Sequence, residues 1–348
     1  MTLTLISIGL TDEKDLSQRA LQAARDSTTL YAELYTTILD TDTTRLSTLI
    51  GRPIQELTRP QMEENSDTLI KEAATKDIGI LVGGDALTAT THIALLIEAI
   101  KKGVETRVIH GSSILTAIAE TGLSPYKLGR TVTLPLPEKA PPTTVLKTLK
   151  QNREHGLHTL ILLDLDTEHQ QTQTINQAIQ TLIQSRQPQT YNRDTLTIGI
   201  SHLGWRDQKI RADTAHNLAN HDFGDPPHTL LIPGELHFLE AEALKTLADC
   251  PTEALENHSP KGELDTLIQK YSTSCKTVIK DLETQDHPQK IDLEETKALI
   301  KHAERYLKDA EYYALERKAT ALTSVSYAEG VLDALKLLGL VKFEWERK

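Results

Sequence analysis

The run Ile78-Gly-Ile-Leu-Val-Gly-Gly-Asp-Ala-Leu-Thr-Ala-Thr-Thr-His92 sets a short apolar segment directly before two glycines and a carboxylate. An uninterrupted apolar run of this length fits a strand buried on both faces, in the middle of a parallel sheet. Glycines after such a strand let the backbone turn tightly and come close to a ligand. Asp85 at that turn either caps the following helix or holds a polar ligand group, and the residues alone leave both open. A strand buried on both faces needs helices above and below it, so this stretch points to an α/β fold.

The flanking sequence repeats the alternation. Strands are expected at Leu3–Ile8, Leu30–Leu34 and Thr106–Ile109. Helices are expected at Leu16–Arg25, Thr43–Ile50, Glu63–Thr75, Thr91–Lys102 and Ser112–Glu120. Residues 1–128 therefore read as an N-terminal α/β domain with a largely parallel sheet. A second α/β domain is expected over 129–250. Its strands are Thr131–Leu134, Thr159–Asp164, Leu196–His202 and His228–Pro233, and its helices Thr144–Glu154, Asn176–Ser185 and Glu240–Leu247. Ala212–Asn220 reads as a turn or helix. Beyond Cys250 the pattern is helical, at Glu263–Thr284, Leu293–Ala319 and Thr323–Leu338, with a turn at Asp286–Lys290 and room for one strand at Val341–Trp345. Residues 262–348 are thus expected as an all-helical third domain.

The charge balance narrows the partners. A formal net charge of −11 over 348 residues argues against a broad nucleic-acid surface. Two cysteines, Cys250 and Cys275, make neither a disulfide scaffold nor a zinc site, and no metal is expected. No apolar run approaches the length of a membrane span, and the N-terminal segment lacks a basic leader region, so a cytoplasmic protein is expected.

Several motifs carry candidate chemistry. Ser7 stands where a dinucleotide fold would place its first glycine, and no GxGxxG is present, which disfavours a Rossmann dehydrogenase. Ser112 and Ser113 open a helix whose free N–H groups can cap or meet a ligand. His92, just inside a helix, reads as a packed or solvated histidine. His155 and His158 lack a third metal ligand. Asp164 ends an apolar strand that can face the same cleft, and His237 follows Pro233-Gly234 at the exit of another.

Taken in order, these pieces resemble one family, the diphthine synthases. The resemblance is carried by Ile8-Gly-Leu-Thr-Asp-Glu-Lys-Asp15, Tyr31…Glu33…Tyr35-Thr36, Gly84-Asp85…Ala89-Thr-Thr-His92 and Val108-Ile-His…Ser113-Ile114. It continues through Gly122-Leu…Tyr126-Lys…Gly129, Glu154-His-Gly-Leu-His-Thr-Leu160, Ile210-Arg-Ala212 and Asp222-Phe-Gly-Asp-Pro-Pro-His228…Pro233-Gly-x-x-His237. It covers about residues 1–250. It implies two α/β domains of the tetrapyrrole-methylase type, with S-adenosylmethionine in the cleft between them and S-adenosylhomocysteine as product. The implied cofactor-binding residues are Leu10, Asp85, Thr88, Ser113, Ile114, Leu163, Ala212 and His237. The implied reaction methylates the amino group of a 3-carboxy-3-aminopropyl-histidine on elongation factor 2, and the implied assembly is a homodimer. No catalytic residue is assigned. The last 80 or so residues resemble a small archaeal helical domain of unknown function, which assigns no chemistry; a helical hairpin that docks, dimerises or binds an unidentified partner is expected there.

Three positions depart from the family pattern. Ser7 replaces a glycine, Ala86 replaces the proline after Gly-Asp, and Ser201-His-Leu-Gly-Trp205 replaces an Ala-Arg-x-Gly segment. The last puts substrate-side contacts in question. Two other readings stand beside the main one: a tetrapyrrole or cobalt-precorrin methyltransferase, and a non-catalytic S-adenosylmethionine-binding interaction protein.

Overall fold

The strands of the N-terminal part are β1 (Thr2–Ser7), β2 (Thr29–Glu33), β3 (Gln55–Glu56), β4 (Ile78–Val82) and β5 (Glu105–Ile109). They form one parallel sheet in the order β3-β2-β4-β1-β5. All of β4 is buried, as its apolar run demands of a central strand. The computed structural model describes residues 1–166, 171–185, 187–258, 263–283, 293–314 and 317–345. The expected turn at Asp286–Lys290 lies outside them.

The connecting helices are α1 (Gln18–Asp26), α2 (Thr43–Ile50), α3 (Asp67–Ala73) and α4 (Ile93–Lys101), with the short α5 (Ile114–Ala117) after β5. All but α2 start later than the sequence predicts, and for α3 and α4 the local bonding shows why. A π-helical turn occupies Pro60–Glu64, closed by Asn65 N–H donating to Pro60 O at 2.8 Å, and α3 begins only after it. The α4 helix begins at Ile93, not Thr91, because hydroxyls of the preceding threonines bond locally. Thr90 Oγ1 donates to Ala86 O at 2.8 Å, the competition expected of threonine near a helix start.

The next segment contributes β6 (Val132–Leu134), α6 (Thr143–Glu154), β7 (Thr159–Leu163), the small hairpin strands β8 (Leu165–Asp166) and β9 (Gln171–Thr172), α7 (Ile175–Gln184), β10 (Leu196–Ser201), β11 (Lys209–Thr214), α8 (Ala215–Leu218) and β12 (His228–Ile232). A mixed sheet results, ordered β11-β10-β12-β7-β6, in which only β6 and β7 run parallel. Within Ala212–Asn220, where a turn or helix is expected, α8 supplies the helix, while Ala212–Thr214 belong to the end of strand β11. Its Lys-Ile-Arg-Ala-Asp-Thr sequence is mostly polar, as an edge strand tolerates. Two further helices follow, α9 (Phe238–Leu247) and α10 (Thr252–Glu256).

Residue contacts divide the chain into two compact units: residues 1–152 with 156–259, and 153–155 with 260–348. The first holds both sheets. The second holds α11 (Glu263–Glu283), α12 (Leu293–Tyr313) and α13 (Lys318–Leu337). Their shared core includes Ile279, Leu282, Leu307, Val325 and Leu332. Residues 341–345 are irregular rather than a strand, and Val341 and Phe343 close that core. Among the described residues, no helix is long and apolar enough to cross a membrane.

Candidate functional site

Loops after the carboxyl ends of parallel strands are where α/β sheets gather ligands. Here the loops after β1, β2, β4 and β5 converge on one cavity of about 350 Å³. Gly9 and Gly84 join two of them by reciprocal backbone bonds, 3.1 Å from Gly9 N–H to Gly84 O and 2.8 Å from Gly84 N–H to Gly9 O. Gly9 takes φ +111°, and a Cβ there would stand 2.5 Å from Asp15 Cβ, so both conformation and space require glycine.

Asp85 organises the next layer. One carboxylate oxygen accepts from Leu87 N–H at 3.1 Å and Thr88 Oγ1 at 3.2 Å. The other accepts from His110 Nδ1–H at 2.8 Å and Gly111 N–H at 3.2 Å. Burial opposes ionisation of this group, yet the Leu87, His110 and Gly111 donors together hold its pKa below the usual carboxylate value. Asp85 thus ties the β4 loop to the β5 loop and forms a wall of the cavity; it closes a local turn at Leu87–Thr88 and does not cap the following helix, whose N-cap is His92.

Two of the departures from the family pattern compensate each other. Ala86 keeps the backbone N–H that a proline would lack, and that N–H donates to Ser7 Oγ at 2.9 Å in a fully buried setting. A glycine at position 7 has no such acceptor. Ser7→Gly is expected to cost about 1–3 kcal/mol, the penalty for a buried donor left unpaired. In a urea double-mutant cycle, Ser7→Gly combined with Ala86→Pro should lose less stability than the two single changes added together. Strict additivity would show that this bond does not couple the two positions.

A buried pair braces the β2 loop. Glu33, fully buried, accepts from Tyr35 N–H at 3.1 Å, Thr36 N–H at 2.9 Å and Thr36 Oγ1 at 3.0 Å. His92 Nδ1–H donates to Ala86 O at 3.0 Å, and its Nε2 stands 3.6 Å from Glu33 Oε2. His92 is therefore packed rather than solvated. Burial pushes the Glu33 carboxyl up, against the pull of His92 and the Thr36 and Tyr35 donors. The pair fixes Thr36–Leu39, which line the cavity together with Arg59 and Glu63. Thr36 belongs to the Tyr35-Thr36 segment of the family resemblance, whereas Thr37–Leu39, Arg59 and Glu63 stand in no sequence motif.

The opposite wall comes from the second sheet: Leu162–Leu165 at the end of β7, Ile200, Leu203, Trp205, and Pro227–Thr229 at the start of β12. Since β12 runs antiparallel to β7, its first residues meet the last of β7. The divergent 201–205 segment reaches across to the first sheet's loops. Trp205 Nε1–H donates to Leu10 O at 3.1 Å, and Thr11 Oγ1 to Gly204 O at 3.3 Å. The His202 ring stacks on Trp205 at 4.3 Å between centroids. His228 Nδ1 accepts from Ile175 N–H at 3.2 Å, which leaves its proton on Nε2, buried and without a partner among the described residues. Burial, reinforced by nearby His202, depresses the His228 pKa to about 4, so the ring is neutral at physiological pH.

Six of the eight residues singled out by sequence, Leu10, Asp85, Thr88, Ser113, Ile114 and Leu163, line this cavity, as does Asp164. Ala212 and His237 do not. Ala212 is buried in β11, its N–H donating to Ala248 O at 2.9 Å. His237 caps α9, its Nδ1 accepting from Leu239 N–H at 3.3 Å and its own N–H donating to Glu240 at 2.8 Å. His158 is also committed within the protein, bonded to Gly234 N–H and to Glu240. Among the described residues no cluster of three histidine, cysteine or acidic side chains could hold a metal.

A family model described as tetrapyrrole (corrin/porphyrin) methylases matches residues 2–219. Fold and match together define an S-adenosylmethionine-dependent methyltransferase of that class. A diphthine synthase of Methanosarcina mazei is 38% identical over 73% of this chain and 99% of its own length. One from Methanocaldococcus jannaschii is 39% identical over 71% of this chain and 99% of its own. A crystal structure of diphthine synthase superposes with TM-score 0.69 at 37% identity, covering 74% of this chain and 99% of that one. The chain belongs to the diphthine synthase family, methyltransferases of diphthamide biosynthesis. Residues 270–341 match a separate model, a protein of unknown function, DUF357.

Proposed function

We propose that this protein methylates the amino group of the 3-carboxy-3-aminopropyl arm on a histidine of elongation factor 2, yielding diphthine. The observation that carries the reading is the convergence of Leu10, Asp85, Thr88, Ser113, Ile114 and Leu163 on one cavity between the two sheets. Its lining fits S-adenosylmethionine. Apolar Leu10, Ile114, Leu163 and Leu203 suit a purine ring, the hydroxyls of Thr36, Thr88 and Ser113 suit polar groups, and Glu63, Asp85 and Asp164 suit a cationic sulfonium. When bound, S-adenosylmethionine supplies an electrophilic methyl group on a sulfur that leaves readily.

The remaining work falls to the chain. The loops braced by Asp85 and by Glu33–His92 hold the cavity walls at fixed positions, which favours an aligned encounter over a diffusive one. Trp205, tied to Leu10, closes one side and limits access of water. The acceptor amine must shed a proton before each transfer, and the carboxylates of Glu63 and Asp164 make the local field receptive to that proton. A homodimer and a cytoplasmic setting belong to the same proposal.

The test is transfer from labelled S-adenosylmethionine in vitro, offered elongation factor 2 bearing the arm or a corrinoid. Label on the arm supports the proposal. Label on the corrinoid would favour the tetrapyrrole reading, and binding without transfer would favour a non-catalytic role.

A further inference from the structure

Arg59 is the one lysine or arginine among the described residues lining the cavity, whose other charged side chains are Glu63, Asp85 and Asp164. Its guanidinium carbon stands 5.2 Å from the centroid of the Tyr35 ring. Tyr35 is itself buried, so a fixed aromatic floor orients a planar cation. The nearest acid, Glu63 Oε1, is 3.9 Å from Nη1, too far for a hydrogen bond. No described residue accepts a hydrogen bond from Arg59, and half of its side chain is exposed. The acids differ from it in this respect. Asp85 accepts four bonds, and Asp164 faces Lys139 Nζ at 3.1 Å.

A carboxylate entering a cavity walled by acids is repelled unless a cation receives it. A guanidinium does so with two parallel N–H donors, a geometry an ammonium lacks. We propose that Arg59 is the carboxylate anchor of this cavity and binds the carboxylate of an α-amino-acid head group, with Glu63 facing the ammonium of the same group. The proposal rests on the function proposed above, in which both ligands carry such a head group: the methionine end of the methyl donor and the arm of the acceptor. Arg59 acts by binding and takes no part in the transfer itself.

Calorimetry with S-adenosylhomocysteine and with methylthioadenosine, which lacks the amino-acid end, separates the sources. If the donor's carboxylate is bound, Arg59→Gln weakens S-adenosylhomocysteine by at least about tenfold and leaves methylthioadenosine unchanged. If the acceptor's carboxylate is bound, both affinities hold and KM for the arm-bearing elongation factor rises by a similar factor. In either case Arg59→Lys recovers part of the loss, which a purely structural role would not produce. Unchanged affinity and unchanged KM overturn the proposal, as do equal losses for the two nucleosides. A wild-type protein that fails to methylate the arm, yet shows the selective S-adenosylhomocysteine loss in Arg59→Gln, would refute the proposed substrate and leave the anchor standing.

Discussion

Asp85→Ala should cut S-adenosylhomocysteine affinity by well over about tenfold, the consequence of losing several charge-assisted bonds at once. The change removes the acceptor of Leu87 N–H, Thr88 Oγ1, His110 Nδ1–H and Gly111 N–H together. The loops after β4 and β5 then lose their common tie, and Thr88 and Ser113 no longer face the cavity at set positions. Asp85→Asn keeps the shape but turns an amide N–H₂ toward donors on one side, so it should recover little. Because the Asp85 pKa lies below the ordinary carboxylate value, the wild-type carboxylate stays ionised down to mildly acidic pH. Affinity in the wild type should therefore not fall as the pH is lowered from 7 to about 5 through this group. Calorimetry on the two variants decides the matter, and unchanged binding in Asp85→Ala would sink the role given to this residue.

Glu33→Ala should produce the largest loss of stability, several kcal/mol, since each buried donor left without its acceptor costs about 1–3 kcal/mol. It strands the buried backbone donor of Tyr35 and the half-buried one of Thr36, and leaves His92 Nε2 facing an emptied space. Glu33→Gln preserves an acceptor for those donors and should cost clearly less. The same variants should bind S-adenosylhomocysteine more weakly in proportion, since Thr36–Leu39 form part of the cavity wall. Urea unfolding followed alongside ligand affinity tests both statements. A loss below about 1 kcal/mol in Glu33→Ala would show that the pair does not brace the loop.

The central strand and its Gly83-Gly84-Asp85 turn were legible because they are local: an apolar run, two glycines and a carboxylate in sequence. The parallel order of the first sheet follows from the same alternation. The edge strand β11 was not, since its polar residues carry little of the apolar pattern that marks a strand. Nor was the part of Trp205 in the cavity. Its bond to Leu10 joins residues 195 positions apart, and no periodicity reports such a contact. Arg59 was hidden for a related reason, since it gains meaning only once the acids around the cavity are seen to outnumber it. Ser7 and Ala86, read separately, looked like two losses; brought together across adjacent strands, they make one hydrogen bond.

The proposed function is tested most directly by mass spectrometry of the modified histidine of elongation factor 2 from cells lacking this protein. The expected result is a histidine that carries the 3-carboxy-3-aminopropyl arm without methyl groups, restored to the methylated form when the wild-type gene is returned. A fully modified diphthamide histidine in those cells would contradict the account.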